Sequence, residues 1–165
     1  MTQALRKPRG ALAIDMMVES DRWRQSGDAA ALARAAVIEA AAALSTARAE
    51  LAIVLTDDSA MRALNRIWRG VDKATNVLSF PTKRAGEGPP LLGDIVLAYD
   101  TIAREARRQR KPFAHHVAHL AVHGFLHLLG YDHEQHADAE AMEQAERDIL
   151  RRLAIPDPYR RPAKV

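Results

Sequence analysis

The stretch running from His123 through Gly124, Phe125, Leu126, His127, Leu128, Leu129, Gly130, Tyr131 and Asp132 to His133 constrains this chain more than any other part of it. Leu120, Ala121 and Val122 lead directly into it. Pro112 suits the first turn of a helix, and Gly130 suits its left-handed stop, so residues 112–129 read as one largely buried helix. Four residues turn a helix by about 400°, which leaves His123 and His127 within roughly 40° of one face. The turn at Gly130 then folds the chain back and brings His133 within reach of the same point. Two histidines four apart are weak evidence, because buried helices carry such pairs by chance. The third histidine beyond a glycine turn changes the weighing. Three neutral imidazoles suit a single zinc ion and leave one tetrahedral position open to water, whose pKa zinc lowers toward neutrality. A closed structural site would need a fourth protein ligand, and the chain has no cysteine to offer.

The remaining pattern alternates strand and helix. Residues 12–18, 51–55, 76–80 and 94–98 are expected as strands. Helices are expected over 28–44 (Asp28 as N-cap), about 58–68, 100–110, 112–129 and 136–153. Residues 81–93, with three Gly and three Pro, read as a loop. The expectation is an α+β fold: a small mixed four-stranded sheet packed with about five helices, formed as a single domain over 1–165 with its core at about 11–154. The 165 residues are enough for one hydrophobic core. No apolar run approaches the roughly 20 residues of a membrane span, the N-terminal basic residues lead into no secretory signal, and absent cysteines fit the cytoplasm.

Net charge is only +3, but its distribution is uneven. Arg104, Arg107, Arg108, Arg110 and Lys111 crowd ahead of the histidine helix. Arg151, Arg152, Arg160, Arg161 and Lys164 follow later, while residues 134–148 carry six acids. Such clusters are either solvated faces or phosphate-backbone contacts, the latter strongly salt-dependent. Among the other histidines, His119 reads as packing or as support behind the ligands, His115 and His116 as the polar face of the helix start, and His136 as an ornament or cap of the next helix. Asp132 is either a turn residue or a carboxylate that orients an imidazole or a water. Trp68 offers a ring for base stacking, although a tryptophan beside an apolar helix more commonly joins the core.

The motif H-G-x-L-H-L-x-G-Y-D-H resembles the signature of the bacterial YbeY family of rRNA maturation factors and endoribonucleases. A second block, from Leu64-Asn65 through Trp68-Arg69, Asp72 and Thr75-Asn76-Val77-Leu78-Ser79-Phe80-Pro81, is similar to that family's L-N-x-x-[YW]-R-x-x-D-x-x-T-[DN]-V-L-S-F-P. A third, Leu92-Gly93-Asp94-Ile95, resembles its L-G-D-I strand. The resemblance runs from about residue 50 to 150. It implies one zinc on His123, His127 and His133, with Arg69 as the functional arginine. It also implies a role in 16S rRNA 3′-end processing, small-subunit assembly and ribosome quality control, with RNA rather than DNA as partner.

The histidine spacing also resembles that of metzincin proteases, H-E-x-x-H-x-x-G-x-x-H. Those need a glutamate after the first histidine as general base, and here the position is Gly124. Phosphodiester hydrolysis instead demands neutralisation of charge on phosphoryl oxygens, which a metal and the fork of Arg69 can supply. Arg69 has a competing use as an ion-pair partner of Asp72. Asp132 is the candidate general base. Two further functions stay open from sequence: an assembly factor whose zinc is mainly structural, and a metallohydrolase of another substrate such as a peptide.

Overall fold

A computed structural model describes residues 12–46, 48–82 and 88–160. The N-terminal basic segment 1–10, Arg161, Lys164 and part of the 81–93 segment lie outside the described residues. The strands are β1 (Ala13–Val18), β2 (Glu50–Thr56), β3 (Val77–Pro81) and β4 (Leu91–Ala98). The helices are α1 (Ala29–Ala43), α2 (Asp58–Arg69), α3 (Tyr99–Arg108), α4 (Phe113–Leu128) and α5 (His136–Arg152), with a short 3-10 turn at Asp21–Gln25. The fold is therefore α+β, with a four-stranded mixed sheet ordered β1-β2-β4-β3. β1, β2 and β4 run parallel, and β3 runs antiparallel to β4 along the edge.

Strand alternation sorts the side chains between two layers. Leu51, Ile53, Leu55, Ile95 and Leu97 are buried in the larger core beneath α1, α4 and α5. Leu78, Val96 and Ala98 meet Met61 of α2 in a smaller core on the opposite face. α1 carries fully buried Ala29, Ala33, Ala36 and Ala40, whose short side chains let a helix pack closely on α4. α4 is buried nearly all round, through Val117, Ala118, Ala121, Val122, Phe125 and Leu126. A helix apolar on every side belongs inside, so its few polar residues are the ones that need an explanation.

β4 is three residues longer at its start than the pattern of residues 94–98 suggests. Its extension pairs Gly93 with Pro81, and a Cβ at Gly93 would lie 2.1 Å from the Phe80 carbonyl oxygen. Only glycine allows that approach, so a residue that reads as loop punctuation sits inside a ladder. Asp28 takes the N-cap position of α1 but makes no side-chain cap bond, whereas Asp57 caps α2 by accepting from the Ala60 N–H at 2.9 Å. Among the described residues, no helix is long and apolar enough to cross a membrane.

Candidate metal centre

α4 places its histidines by helical period alone. His116, His119, His123 and His127 follow at intervals of three, four and four, which stacks them along one face. The helix ends where Gly130 adopts φ +96° and the Tyr131 N–H returns to the Leu126 carbonyl at 3.0 Å. The chain then doubles back and brings His133 over the end of α4. Donor nitrogens of His123, His127 and His133 all lie within 4.8 Å of one another. The Nε2 atoms of His123 and His127 are 3.1 Å apart. Two nitrogens on a tetrahedral ion, each at about 2.0–2.1 Å, would be separated by roughly 3.3 Å, so the donor set fits one small divalent metal. Burial, followed by the neighbouring imidazoles of His123 and His133, lowers the pKa of His127 and so favours the neutral form that a metal requires.

Behind this trio stands a residue that the sequence reading missed. Glu146 of α5 is completely buried. It accepts a hydrogen bond from His123 Nδ1 at 2.6 Å, another from His119 Nε2 at 2.9 Å, and a third from the Tyr159 hydroxyl. Burial opposes ionisation of this carboxyl, but the three donors outweigh it and hold the pKa at about 2. The bond from His123 Nδ1 leaves the Nε2 lone pair free for the shared point. Tyr159 is pushed in the other direction, first by burial and then by Glu146, so its hydroxyl keeps its proton. His119 thus stands behind the three imidazoles, bonded to the same carboxylate as His123. The signal for Glu146 was present but faint: Met142, Glu146, Ile149 and Leu150 share the apolar stripe of α5, and an acid on such a stripe needs partners.

The cleft beside the three imidazoles is lined by Arg69, Asn76, Val77, Leu78, Ser79 and Pro81 and encloses about 340 Å³. Arg69 is the last residue of α2, and Gly70 ends that helix at φ +71°. Asn65 then clamps the following loop, its amide donating to the Lys73 carbonyl at 2.8 Å. Arg69 reaches over the edge strand and donates to the Ser79 carbonyl at 3.2 Å. Asp72, its competing partner on sequence grounds, is taken by Arg62 through bonds of 2.8 and 2.9 Å, with Arg66 at 3.9 Å. The guanidinium of Arg69 therefore belongs to the histidine cleft.

Gly124, which follows His123, faces the sheet. A Cβ there would lie 2.8 Å from Ile95 Cγ2, 3.1 Å from Ser79 Oγ and 3.3 Å from Val77 Cγ2. The Ser79 hydroxyl also donates to the Gly124 carbonyl at 2.8 Å. No glutamate fits at that position, so the protease-type base has no place in this fold.

Other expectations are met differently. Asp132 is exposed, accepts the Glu134 N–H at 3.4 Å and lines a separate concavity with Tyr131 and Asp138. It occupies the turn and not the Arg69 cleft. Trp68, on the last turn of α2, is 66% exposed, with its ring edge-on to Phe80. His116 is 4% exposed and donates through Nε2 to the Glu105 carboxylate at 3.1 Å, so it is not part of a polar helix face. His136 opens α5 and pairs with Glu140 without capping the helix. In the basic cluster, Arg104 is engaged by Asp58 at 2.9 Å, while Arg110 and Lys111 line another cavity.

A small mixed sheet, a buried helix with a three-imidazole centre and an arginine beside it define a class of α+β proteins built around one candidate metal site. Residues 17–154 match the family model for Endoribonuclease YbeY. Endoribonuclease YbeY of Rhodopseudomonas palustris (strain BisB18) is 53% identical over 155 residues, covering 89% of this chain and 92% of its own length. The protein of that name from Bradyrhizobium diazoefficiens is 51% identical over 153 residues, covering 88% and 84%. The solution structure of TM1509 from Thermotoga maritima shares the fold, with a TM-score of 0.52 at 21% identity over 92% of this chain and 99% of that one. The chain belongs to the YbeY family of hydrolytic endoribonucleases.

Proposed function

We propose that this chain is a zinc-dependent endoribonuclease of the cytoplasm. It would cleave single-stranded RNA in 16S rRNA 3′-end maturation and serve small-subunit assembly and ribosome quality control. The observation that carries the reading is the meeting of three imidazoles with one arginine in a single cleft. His123, His127 and His133 would hold the ion. Zinc bound there supplies Lewis acidity and an acidified water at neutral pH. Arg69, tethered by the Ser79 carbonyl, presents the rest of its fork to a phosphate in the cleft. Asn76 stands at the same cleft with its amide fixed between Glu105 and the Val77 N–H. It adds a polar wall without adding charge. Asp132 is retained as a proton acceptor only if the turn that carries it moves toward the cleft.

Gly124 disfavours a peptidase, since its packed position leaves no room for a base. Zinc-loaded protein offered a structured RNA and a panel of peptides, with His127→Ala alongside, tests the reading. RNA cleavage that vanishes in His127→Ala supports it. Cleavage that persists in the variant, peptide cleavage, or tight binding to small subunits without any cleavage overturns it.

A further inference from the structure

Of the large apolar side chains exposed among the described residues, three crowd at the end of α2: Ile67, Trp68 and Val71. Single exposed apolar residues need no explanation, but a cluster of them around an indole does. The indole is oriented by the Phe80 ring, which it meets edge-on with centroids 6.1 Å apart. Trp23, the other tryptophan of the chain, is used in the opposite way. It is 2% exposed, and its indole N–H donates to the Thr56 carbonyl at 2.9 Å.

The patch adjoins the histidine cleft across one strand, because β3 is an edge of the sheet. Val77 and Ser79 point from β3 toward Gly124 of α4, and both line the cleft with Pro81. Phe80 lies between Ser79 and Pro81 in sequence and so points the other way, to the smaller core, where it meets Trp68. Arg69, the residue after Trp68, passes over this edge to the Ser79 carbonyl. The guanidinium at the cleft and the indole behind it thus flank the same short strand, and a polymer lying over that edge can touch both.

The charge around the indole decides what covers it. Residues 62–73 carry Arg62, Arg66, Arg69 and Lys73 against one acid, Asp72, which Arg62 and Arg66 already share at 2.8 and 3.9 Å. A protein surface that buried Trp68 and Ile67 would bury this surplus positive charge beside them, and interface cores are depleted in charge. A polyanion gains from the same cations by releasing its counterions. A duplex keeps its base faces stacked inside and offers the indole nothing. An unpaired strand offers phosphates for the cations and a ring face for the indole, whichever base it carries.

We propose that Trp68 is a stacking platform for an unpaired base of the RNA, next to the nucleotide whose phosphate meets Arg69 in the cleft. The strand then runs from the cleft across the β3 edge onto the end of α2. There the protein demands single-stranded substrate without reading its sequence. The proposal rests on the ribonuclease reading above.

The test uses zinc-loaded full-length protein and its own fluorescence. Trp23 is buried, so quenching by an added ligand reports Trp68. A short unstructured RNA, mixed in stopped flow so that binding is read before cleavage, is expected to quench the emission. The same strand annealed to its complement is not. Trp68→Ala should weaken the single strand by about five- to 150-fold, the worth of one stacked base, and leave the salt dependence of binding unchanged. Trp68→Tyr should recover most of that loss, with zinc content at the wild-type level in both variants. Three results overturn the platform: equal affinity of wild type and Trp68→Ala, equal losses for single strand and duplex, or quenching by phosphatidylserine vesicles but not by RNA. Cleavage is scored separately against His127→Ala, so stacking can fail while RNA is still cut, and RNA can stack without being cut.

Discussion

Replacing Glu146 by glutamine changes one buried atom and should disturb the metal centre from behind. The carboxylate accepts from three donors: His123 Nδ1, His119 Nε2 and the Tyr159 hydroxyl. A glutamine amide has one oxygen and one NH2 group. In the same place, at least one imidazole N–H would face another donor. If that imidazole is His123, its proton moves to Nε2 and blocks the lone pair needed for the ion. Loss of such support behind a metal ligand costs about 10–100-fold in affinity, or about 1.4–2.8 kcal/mol. The assay is competition for zinc against a chromophoric chelator at pH 7, with the exposed Glu140→Gln as control. Glu146→Gln is expected to lose at least tenfold while Glu140→Gln loses nothing. A folded Glu146→Gln protein with wild-type zinc affinity would refute the claim that Glu146 sets the tautomer of His123.

Arg69→Lys should retain part of the RNA-cleaving activity and Arg69→Ala little, because lysine keeps charge at the cleft but loses the fork; wild-type rates in Arg69→Ala would remove the residue from the reaction. Gly124→Ala forces a methyl to within 2.8 Å of Ile95. It should cost about 1–3 kcal/mol by overpacking, read as a fall in Tm of roughly 2–12 °C in a melt of the zinc-loaded protein. In the metal-free protein, burial lowers the pKa of His116 in the folded state. The unfolded chain then takes up the proton first as pH drops below about 6.5, so stability is present above that pH and is lost on the way down. Urea midpoints at pH 7.5, 6.5 and 5.5 should fall in that order, with a shallower fall in His116→Gln.

The histidine trio was legible because its spacing is local. Helix period places His123 and His127 together, and a glycine stop returns His133, with no knowledge of the rest of the fold required. The strands and helices were legible for the same reason, through periodicity, although the order β1-β2-β4-β3 is a long-range fact that no local pattern carries. Glu146 was hidden by its company, since five other acids in residues 134–148 read as a solvated face. Its burial depends on α5 packing against α4, which only the tertiary structure reveals. Trp68 and His116 exchanged their expected environments for a similar reason. The indole on the last turn of α2 stays largely in solvent, whereas the packing of α3 against α4 buries His116 beside Glu105. Arg69 gave no sign of its tether to Ser79, because the contact crosses ten residues and a strand edge.

Zinc K-edge absorption on stoichiometrically loaded protein, compared between wild type and His127→Ala, bears most directly on the centre of the account. One ion per chain is predicted, with three imidazole nitrogens and one light oxygen donor in the wild type, and both the occupancy and the imidazole shell reduced in the variant. A wild-type spectrum with four protein ligands, or one that His127→Ala leaves unchanged, would contradict it.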